Sequence, residues 1–224
     1  MKGIILAGGN GTRLRPLTEI TNKHLLPVYD RPMIEYPLQT LIDLGCDDIL
    51  IITGGEHVGG FASYLGDGSR YGVKLTYRVQ PEAGGVAQAL ACAEYFVNDY
   101  GLFPVILGDN YFEQPMILKK PGIIVSPVKD AHRFGVYDPD TNSITEKPKT
   151  PTSDLAVTGL YWYDYKIFPL IRRLVPSERG ELEITDINNQ ILEDGGEVRI
   201  NGAYWSDMGT FGSLLDVAKR VSDD

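Results

Sequence analysis

The densest concentration of chemistry in this chain is Leu6-Ala7-Gly8-Gly9-Asn10-Gly11-Thr12-Arg13-Leu14. Gly8, Gly9 and Gly11 let the backbone bend sharply and approach a ligand without a Cβ in the way. Successive amides in such a turn form an anion-binding concavity. Arg13 adds a planar fork suited to phosphate oxygens. Lys23 follows, held close by the apolar stretch Leu25-Leu26-Pro27-Val28. A glycine turn alone is a bend, and a lysine alone is usually solvated; together they read as a phosphate site. No Gly-Lys-Ser/Thr follows, so the loop is not a P-loop. Leu14 stands where the dinucleotide fingerprint has its third glycine. His24 reads as a packing or hydrogen-bonding residue.

Asp109 is the second feature. It follows the apolar run at 103–107 through Gly108. A carboxylate at the end of a buried strand is costly unless it meets a cation, and Mg²⁺ favours one or two carboxylates together with phosphate oxygens. The competing reading is a turn-forming Asp before Asn110.

These residues need elements to position them. Residues 2–7 form a short apolar run ended by Gly8, which predicts a buried parallel strand. Ile34, Leu38, Leu41 and Ile42 recur at helical spacing and stop at Gly45. Strands are predicted at 48–53, 73–79 and 103–107, and helices at 57–65 and 85–97. The alternation predicts an α/β fold, a doubly wound and mainly parallel sheet. In such sheets ligands sit beyond the carboxyl ends of the strands, where the glycine loop and Asp109 both fall. Beyond residue 110 the pattern is less regular. Strands are predicted at 123–128, 155–162 and 197–201, and helices at 167–174, 184–192 and 211–221, the last capped by Thr210. Pro115 and Pro121 leave little room for a crossover helix between Asp109 and Gly122. No linker or repeat divides the 224 residues, so one domain is expected, with a nucleotide-binding half (1–110) and a second half at 111–224.

The net charge of −9 argues against nucleic-acid or anionic-membrane partners, which want a basic surface. No apolar run approaches the roughly 20 residues of a membrane span, and residues 1–7 carry no signal-peptide pattern. The cytoplasm is the expected compartment. Cys46 and Cys92 read as small core residues in a reducing environment.

The pattern Gly-Gly-x-Gly-Thr-Arg-Leu-x-Pro-Leu-Thr, then Lys-x-Leu-Leu-Pro-Val, resembles the sugar-1-phosphate nucleotidyltransferases. Val79-Gln80-Pro81, Gly84 to Ala89, Gly108-Asp109-Asn110, Phe134-Gly135-Val136, Glu146-Lys147-Pro148, Val157 to Tyr161 and Gly180 to Asp186 extend the match in order along the chain. Their closest likeness is to the glucose-1-phosphate thymidylyltransferase branch. The resemblance implies the Rossmann-like, mixed but mainly parallel nucleotide-diphospho-sugar transferase fold. It implies transfer of a thymidylyl group from dTTP to glucose 1-phosphate, giving dTDP-glucose and pyrophosphate, with Mg²⁺. A uridylyl-transferring relative and a non-catalytic sugar-nucleotide-binding paralogue are the alternatives.

Carried over residue by residue, the resemblance assigns the nucleotide to Leu6, Gly8, Gly9, Gly11, Thr12, Arg13, Gln80, Gly85 and Asp109. It assigns the sugar to Asn110, Gly135, Glu146, Lys147, Val157 and Trp205, the metal to Asp109 and Asp207, and the chemistry to Arg13, Lys23, Asp109 and Lys147. Glu181 and Glu183 read as ion-paired structural residues. A homo-oligomer is implied. A tetramer is not carried over, because the proline-flanked connection after Asp109 is short where relatives place subunit contacts. Feedback regulation is not carried over either, because long members tie it to a helical extension that does not follow the helix from Phe211.

Overall fold

Residues 1–9, 11–98 and 101–223 are described by a computed structural model. Asn10, inside the glycine loop, lies outside the described residues. In chain order the elements are β1 (Lys2–Ala7), β2 (Pro27–Val28), β3 (Arg31–Pro32), α1 (Glu35–Asp43), β4 (Asp48–Gly54), α2 (Val58–Leu65), β5 (Lys74–Gln80), α3 (Val86–Ala91), α4 (Glu94–Val97), β6 (Phe103–Leu107), β7 (Asn110–Phe112), β8 (Gly122–Pro127), β9 (Gly135–Asp138), β10 (Ser143–Glu146), β11 (Leu155–Tyr163), α5 (Ile167–Ile171), α6 (Ile184–Glu193), β12 (Glu197–Ile200), β13 (Trp205–Asp207) and α7 (Phe211–Ser222).

Nine strands form the main sheet, in the order β10-β9-β11-β6-β1-β4-β5, with β8 on β11 and β12 on β8. β1, β4, β5 and β6 run parallel, and β11 lies antiparallel to β6. The sheet is therefore mixed, and parallel among its strands from residues 1–110. β1 shows why a continuous apolar run suits this place. Ile4 and Leu6 point into one core and Ile5 and Ala7 into the other, following the two-residue period of a strand. α3, α5 and α6 cover the first face, and α1 and α2 the second. From β1 the chain moves outward through β4 and β5, then returns to pair β6 on the opposite side of β1. The strand order thus reverses at β1, and a crevice opens beyond its carboxyl end.

The helix expected at 85–97 is two helices, α3 and α4. The amides of Cys92 and Ala93 bond three residues back to Ala89 and Leu90, a tighter turn that breaks the α pattern. The last helical residue of α5 is Ile171, short of the expected 174. Thr210 caps α7 in a capping box with Ser213. Besides the short β2–β3 ladder, two pairings carry no signal in the sequence pattern. One is the β9–β10 hairpin, which opposes Gly135 and Glu146. The other is the small β7–β13 ladder, which opposes Asn110 and Asp207.

Cys46 is buried in the core and burial pushes its thiol up to about 12. Cys92 is half-buried against the opposite core; both thiols are free. No helix among the described residues is long and apolar enough to cross a membrane.

Candidate active site

Two adjoining clefts open beyond the carboxyl ends of β1 and β6. The first, about 420 Å³, is lined by Leu6, Gly8, Gly9, Thr12, Lys23, His24, Gln80, Ala83, Gly85, Val86, Ala89, Leu107, Asp109 and Glu181. The second, about 680 Å³, is lined by Thr12, Arg13, Leu107, Asp109, Asn110, His132, Arg133, Phe134, Lys147, Val157, Thr158, Gly159, Tyr161, Glu181, Trp205 and Asp207. Thr12, Leu107, Asp109 and Glu181 belong to both, so the clefts meet at Asp109.

Most residues expected to bind nucleotide line the first cleft, and most expected at the sugar line the second. Gly11, Gly135 and Glu146 line neither. Gly11 has a φ of +58° and forms the turn that leads into Thr12. Gly135 and Glu146 lie opposite each other in the hairpin, each next in sequence to a residue that lines the second cleft, Phe134 and Lys147. Arg13 faces the second cleft, not the first.

Gln80 ends β5 with its side chain buried. Its amide nitrogen donates to Gln88 Oε1 at 2.8 Å and to the Gly85 carbonyl at 3.3 Å. Gln88 Oε1 also accepts from the Gly84 amide at 2.9 Å, so Gln88 orients both. A Cβ on Gly8 would lie 2.5 Å from Gln80 Oε1. The bare Gly8 backbone therefore lets the glutamine carbonyl lie over the glycine loop.

Asp109 sits in the turn between β6 and β7, buried. Lys23 Nζ lies 2.5 Å from its Oδ2, and Asn110 Nδ2 donates to its Oδ1 at 3.0 Å. Burial alone would raise its pKa, but Lys23 and these bonds hold the carboxyl well below the usual carboxylate range. Asn110 is fully engaged, since its Oδ1 accepts from Trp205 Nε1 at 2.7 Å and from the Gly159 amide at 3.0 Å. It orients Asp109 and Trp205. Trp205 is a core residue and a cleft wall at once.

Asp207 ends β13. Arg133 Nη2 faces both its oxygens, at 3.2 and 3.1 Å, and Arg13 Nη2 stands 4.0 Å away. Burial, then the Asp109 charge, pushes the Asp207 carboxyl up. Two hard carboxylates thus share one electrostatic environment, while no group of three or more His, Cys, Asp or Glu is arranged to hold a metal among the described residues. That donor set suits a hard divalent ion completed by phosphate oxygens and water.

Lys147 takes a left-handed conformation, φ +43°, at the end of β10. Such backbone in a non-glycine residue is costly and collects at functional sites. Its ammonium lies 3.2 Å from Glu146 Oε1, and Glu146 also accepts from Thr185 Oγ1 at 2.6 Å. Arg179 reaches Glu146 at 3.4 Å and Glu183 at 2.8 Å. Glu183 is ion-paired as expected; Glu181, 3.5 Å from Arg179, also borders both clefts.

Sequence reasoning passed over Arg133, Arg179 and Gln88. Each stands beside a motif that was recognised: Arg133 before Phe134-Gly135, Arg179 before Gly180-Glu181, and Gln88 within Gly84 to Ala89. The clue was a charged or amide side chain at a motif's edge. No local pattern says which way it points.

His24 is buried and lines the first cleft. Its Nδ1 bonds Asn22 Oδ1 at 2.7 Å. Burial, then the Lys23 charge, lowers its pKa from 6.5 to about 3, so the ring is neutral in the fold. Between about pH 6.5 and 3 the unfolded chain binds the proton and the folded one does not. Stability therefore falls as pH drops through that window, by at most about 1.4 kcal/mol per pH unit from this group. A His24→Gln variant is expected to show a shallower fall in Tm between pH 6.5 and 4, measured by thermal melts. An unchanged slope would exclude His24 as the cause.

The sequence profile of the nucleotidyl transferase family matches residues 2–224. The chain is 47% identical to the glucose-1-phosphate thymidylyltransferase of Neisseria gonorrhoeae over 238 aligned positions, covering 99% of this chain and 82% of that protein. It is 45% identical to the protein of the same name from Mycolicibacterium smegmatis, with the same coverage. A Bacillus anthracis crystal structure with bound sucrose, described as that of such an enzyme, superposes with a TM-score of 0.91 at 46% identity, covering 100% of this chain and 96% of that one. A UDP-glucose pyrophosphorylase bound to UDP-glucose shares the fold, with a TM-score of 0.87 at 21% identity, covering 99% and 98%. By profile, by relatives and by fold, the chain belongs to the nucleotidyl transferase family, on the branch of the glucose-1-phosphate thymidylyltransferases.

Proposed function

We propose that this protein joins dTTP to glucose 1-phosphate, releasing pyrophosphate and leaving dTDP-glucose. The observation that carries the reading is the junction of the clefts. A glycine-rich anion loop and a glutamine-walled pocket meet a second, lysine-bearing pocket at one buried aspartate.

The reaction is a displacement. A phosphate oxygen of the sugar attacks the α-phosphorus of dTTP, and pyrophosphate leaves on the opposite side. Two polyanions must be held together while charge spreads over the α-phosphoryl oxygens, so positioning and positive charge do the catalysis. The loop amides at Gly8, Gly9 and Gly11 cradle the triphosphate, with Leu6 and Thr12 on its walls. Arg13, which follows the shared wall residue Thr12 and lines the second cleft, takes the departing pyrophosphate once it swings toward the loop, and Lys23 takes the α-phosphoryl group once it turns from Asp109. Gln80 and the Gly85 backbone meet the imide edge of the base, where Gln80 Oε1, turned outward by the bonds its nitrogen makes to Gln88 and Gly85, accepts from the imide N–H. Lys147 meets the sugar phosphate, Val157, Trp205 and Asn110 wall that pocket, and the hairpin pair Gly135 and Glu146 meets the sugar hydroxyls once Lys147 and Arg179 release the Glu146 carboxylate. In this reading 1–110 is the nucleotide half and 111–224 the sugar half of a single domain. Asp109 and Asp207 fit a Mg²⁺ ion, which when bound would neutralise phosphate charge. A homo-oligomer and a cytoplasmic setting complete the reading. Light scattering tests the first, and a monomeric mass would remove it; the free thiols of Cys46 and Cys92 are consistent with the second.

The test is pyrophosphate release across all NTPs and dNTPs with glucose 1-phosphate. The expected result is the highest kcat/KM with dTTP. The thymine methyl contributes only about 1–3 kcal/mol in a pocket, so equal or better turnover with UTP would overturn the thymidylyl assignment. Binding of dTDP-glucose without pyrophosphate release from any pair would make the protein a sugar-nucleotide binder instead.

Lys147→Ala tests the division of labour. A charge-assisted bond of about 1.5–3 kcal/mol is lost, so KM for glucose 1-phosphate should rise roughly 10- to 100-fold. The Kd for dTTP, measured by calorimetry, should stay within about threefold. A loss of dTTP affinity as large as the KM change would move Lys147 to the nucleotide.

A further inference from the structure

Both carboxylates proposed to hold the metal are occupied by cations of the chain itself, and the two pairs are built differently. Lys23 makes a single contact to Asp109, 2.5 Å long, from a flexible stem. Arg133 is anchored. Its amide closes the turn Ala131–Arg133 onto the Asp130 carbonyl at 3.1 Å. Its guanidinium stacks over Phe134 at 5.1 Å, and Phe134 packs on Trp205 at 5.4 Å. Trp205 stands on β13 with Asp207. A cation–π contact on a tilted aromatic pair therefore holds the guanidinium against the carboxylate.

The contact has the shape of a chelate. A single nitrogen, Nη2, lies 3.2 Å from Oδ1 and 3.1 Å from Oδ2. It sits between the two oxygens, where a cation held by both would sit. A free divalent ion would have to displace this nitrogen and shed water, which Mg²⁺ does reluctantly. It would also meet Lys23 and Arg13, which already stand against Asp109 and Asp207 and would lose that partner to the ion. A nucleoside triphosphate changes the balance. It brings phosphate oxygens to the ion, and the nearby cations gain a better anionic partner than the aspartates.

We propose that Arg133 is a positioning residue that keeps Asp207 closed to free divalent cations in the nucleotide-free protein, so that the metal enters with the triphosphate and not ahead of it. The inference rests on the reading of Asp109 and Asp207 as the metal's carboxylates. It deepens that reading by assigning an order of entry to a residue outside the recognised motifs.

Mn²⁺ serves as the probe, titrated into the purified full chain and followed by the loss of free-ion EPR signal, with and without dTTP, the loss in a protein-free Mn²⁺–dTTP titration being subtracted. Wild type should bind Mn²⁺ weakly alone and tightly with dTTP. Arg133→Gln should tighten nucleotide-free binding about 10-fold, as expected for removing one close positive charge. Adding Asp207→Asn to that variant should abolish the gain. Thermal melts check folding. If Arg133→Gln does not fold, Arg133→Lys decides, with a gain of about threefold expected from losing the two-oxygen contact while keeping the charge. Unchanged or weaker nucleotide-free binding in the folded variant overturns the proposal. If Asp207→Asn alone leaves Mn²⁺ binding intact in the presence of dTTP, the metal assignment itself is wrong and the proposal falls with it.

Discussion

Asp109→Asn is expected to cut kcat at least about 1,000-fold, equivalent to about 4 kcal/mol of lost transition-state stabilisation. Asp109 is where the two clefts meet, and its charge is set against Lys23 on one side and faces Asp207 on the other. Asn keeps the shape but removes the negative charge that a metal and the phosphoryl-facing cations require. The fold should survive. Asn still offers Lys23 an acceptor and Asn110 a partner, so the loss should be about 1–2 kcal/mol rather than the roughly 3–5 of a fully broken buried pair. For a chain of this size that is a fall in Tm of about 2–8 °C. The sign with pH follows from the depressed carboxyl. The stability it contributes is present above the unfolded pKa near 3.8 and is lost as pH falls through the lower folded value. The deficit of the variant should therefore be full at pH 7 and shrink in strong acid. Steady-state kinetics with matched melts would check this. Activity within tenfold of wild type would remove Asp109 from the chemistry.

Gly85→Ala should damage stability and nucleotide binding together. Gly85 has a φ of +101°, which an L side chain rarely adopts. A Cβ there would lie 2.6 Å from the Leu182 carbonyl oxygen and 2.9 Å from its nitrogen. Those are main-chain atoms that cannot rotate aside. The strained backbone costs about 1–3 kcal/mol and the contact adds to it, so Tm should drop by about 6 °C or more. The turn also carries the Gly84 carbonyl that accepts from the Leu182 amide at 2.8 Å, and the Gly85 carbonyl that accepts from Gln80. Displacing it should raise KM for dTTP at least about 10-fold while KM for glucose 1-phosphate moves less. A stable variant with unchanged KM for dTTP would show that this turn does not touch the base. Gly8→Ala makes a useful contrast, because its Cβ meets only the far end of the Gln80 side chain.

Some of this was legible from residues read one after another. A buried parallel strand announces itself as an unbroken apolar run, and a close backbone approach announces itself as glycine. Residues 2–7 followed by Gly8-Gly9, and 103–107 followed by Gly108-Asp109, therefore marked the place of the crevice and of the glycine turn beside it. Gln80 and Lys147 were found only through ordered motifs, because a side chain at a strand end carries no local mark of what it faces. The break of the helix at Cys92 was hidden, since Ala, Cys and Ala suit a continued helix as well as a tight turn.

What the linear chain determined by itself was the fold class, the edge of the sheet where the clefts open, and a glycine-rich turn unlike a P-loop or a dinucleotide fingerprint. Strand and loop preferences are local, so they survive in the string of residues. Only the tertiary structure decided which cations face those carboxylates. The β7–β13 ladder brings Asp207 beside Asn110, and the contacts that join Arg133, Phe134 and Trp205 set a guanidinium across Asp207. Such pairings join residues distant along the chain, and they form because each buried charge must find its opposite. That requirement is met in three dimensions and leaves no periodic trace in the sequence.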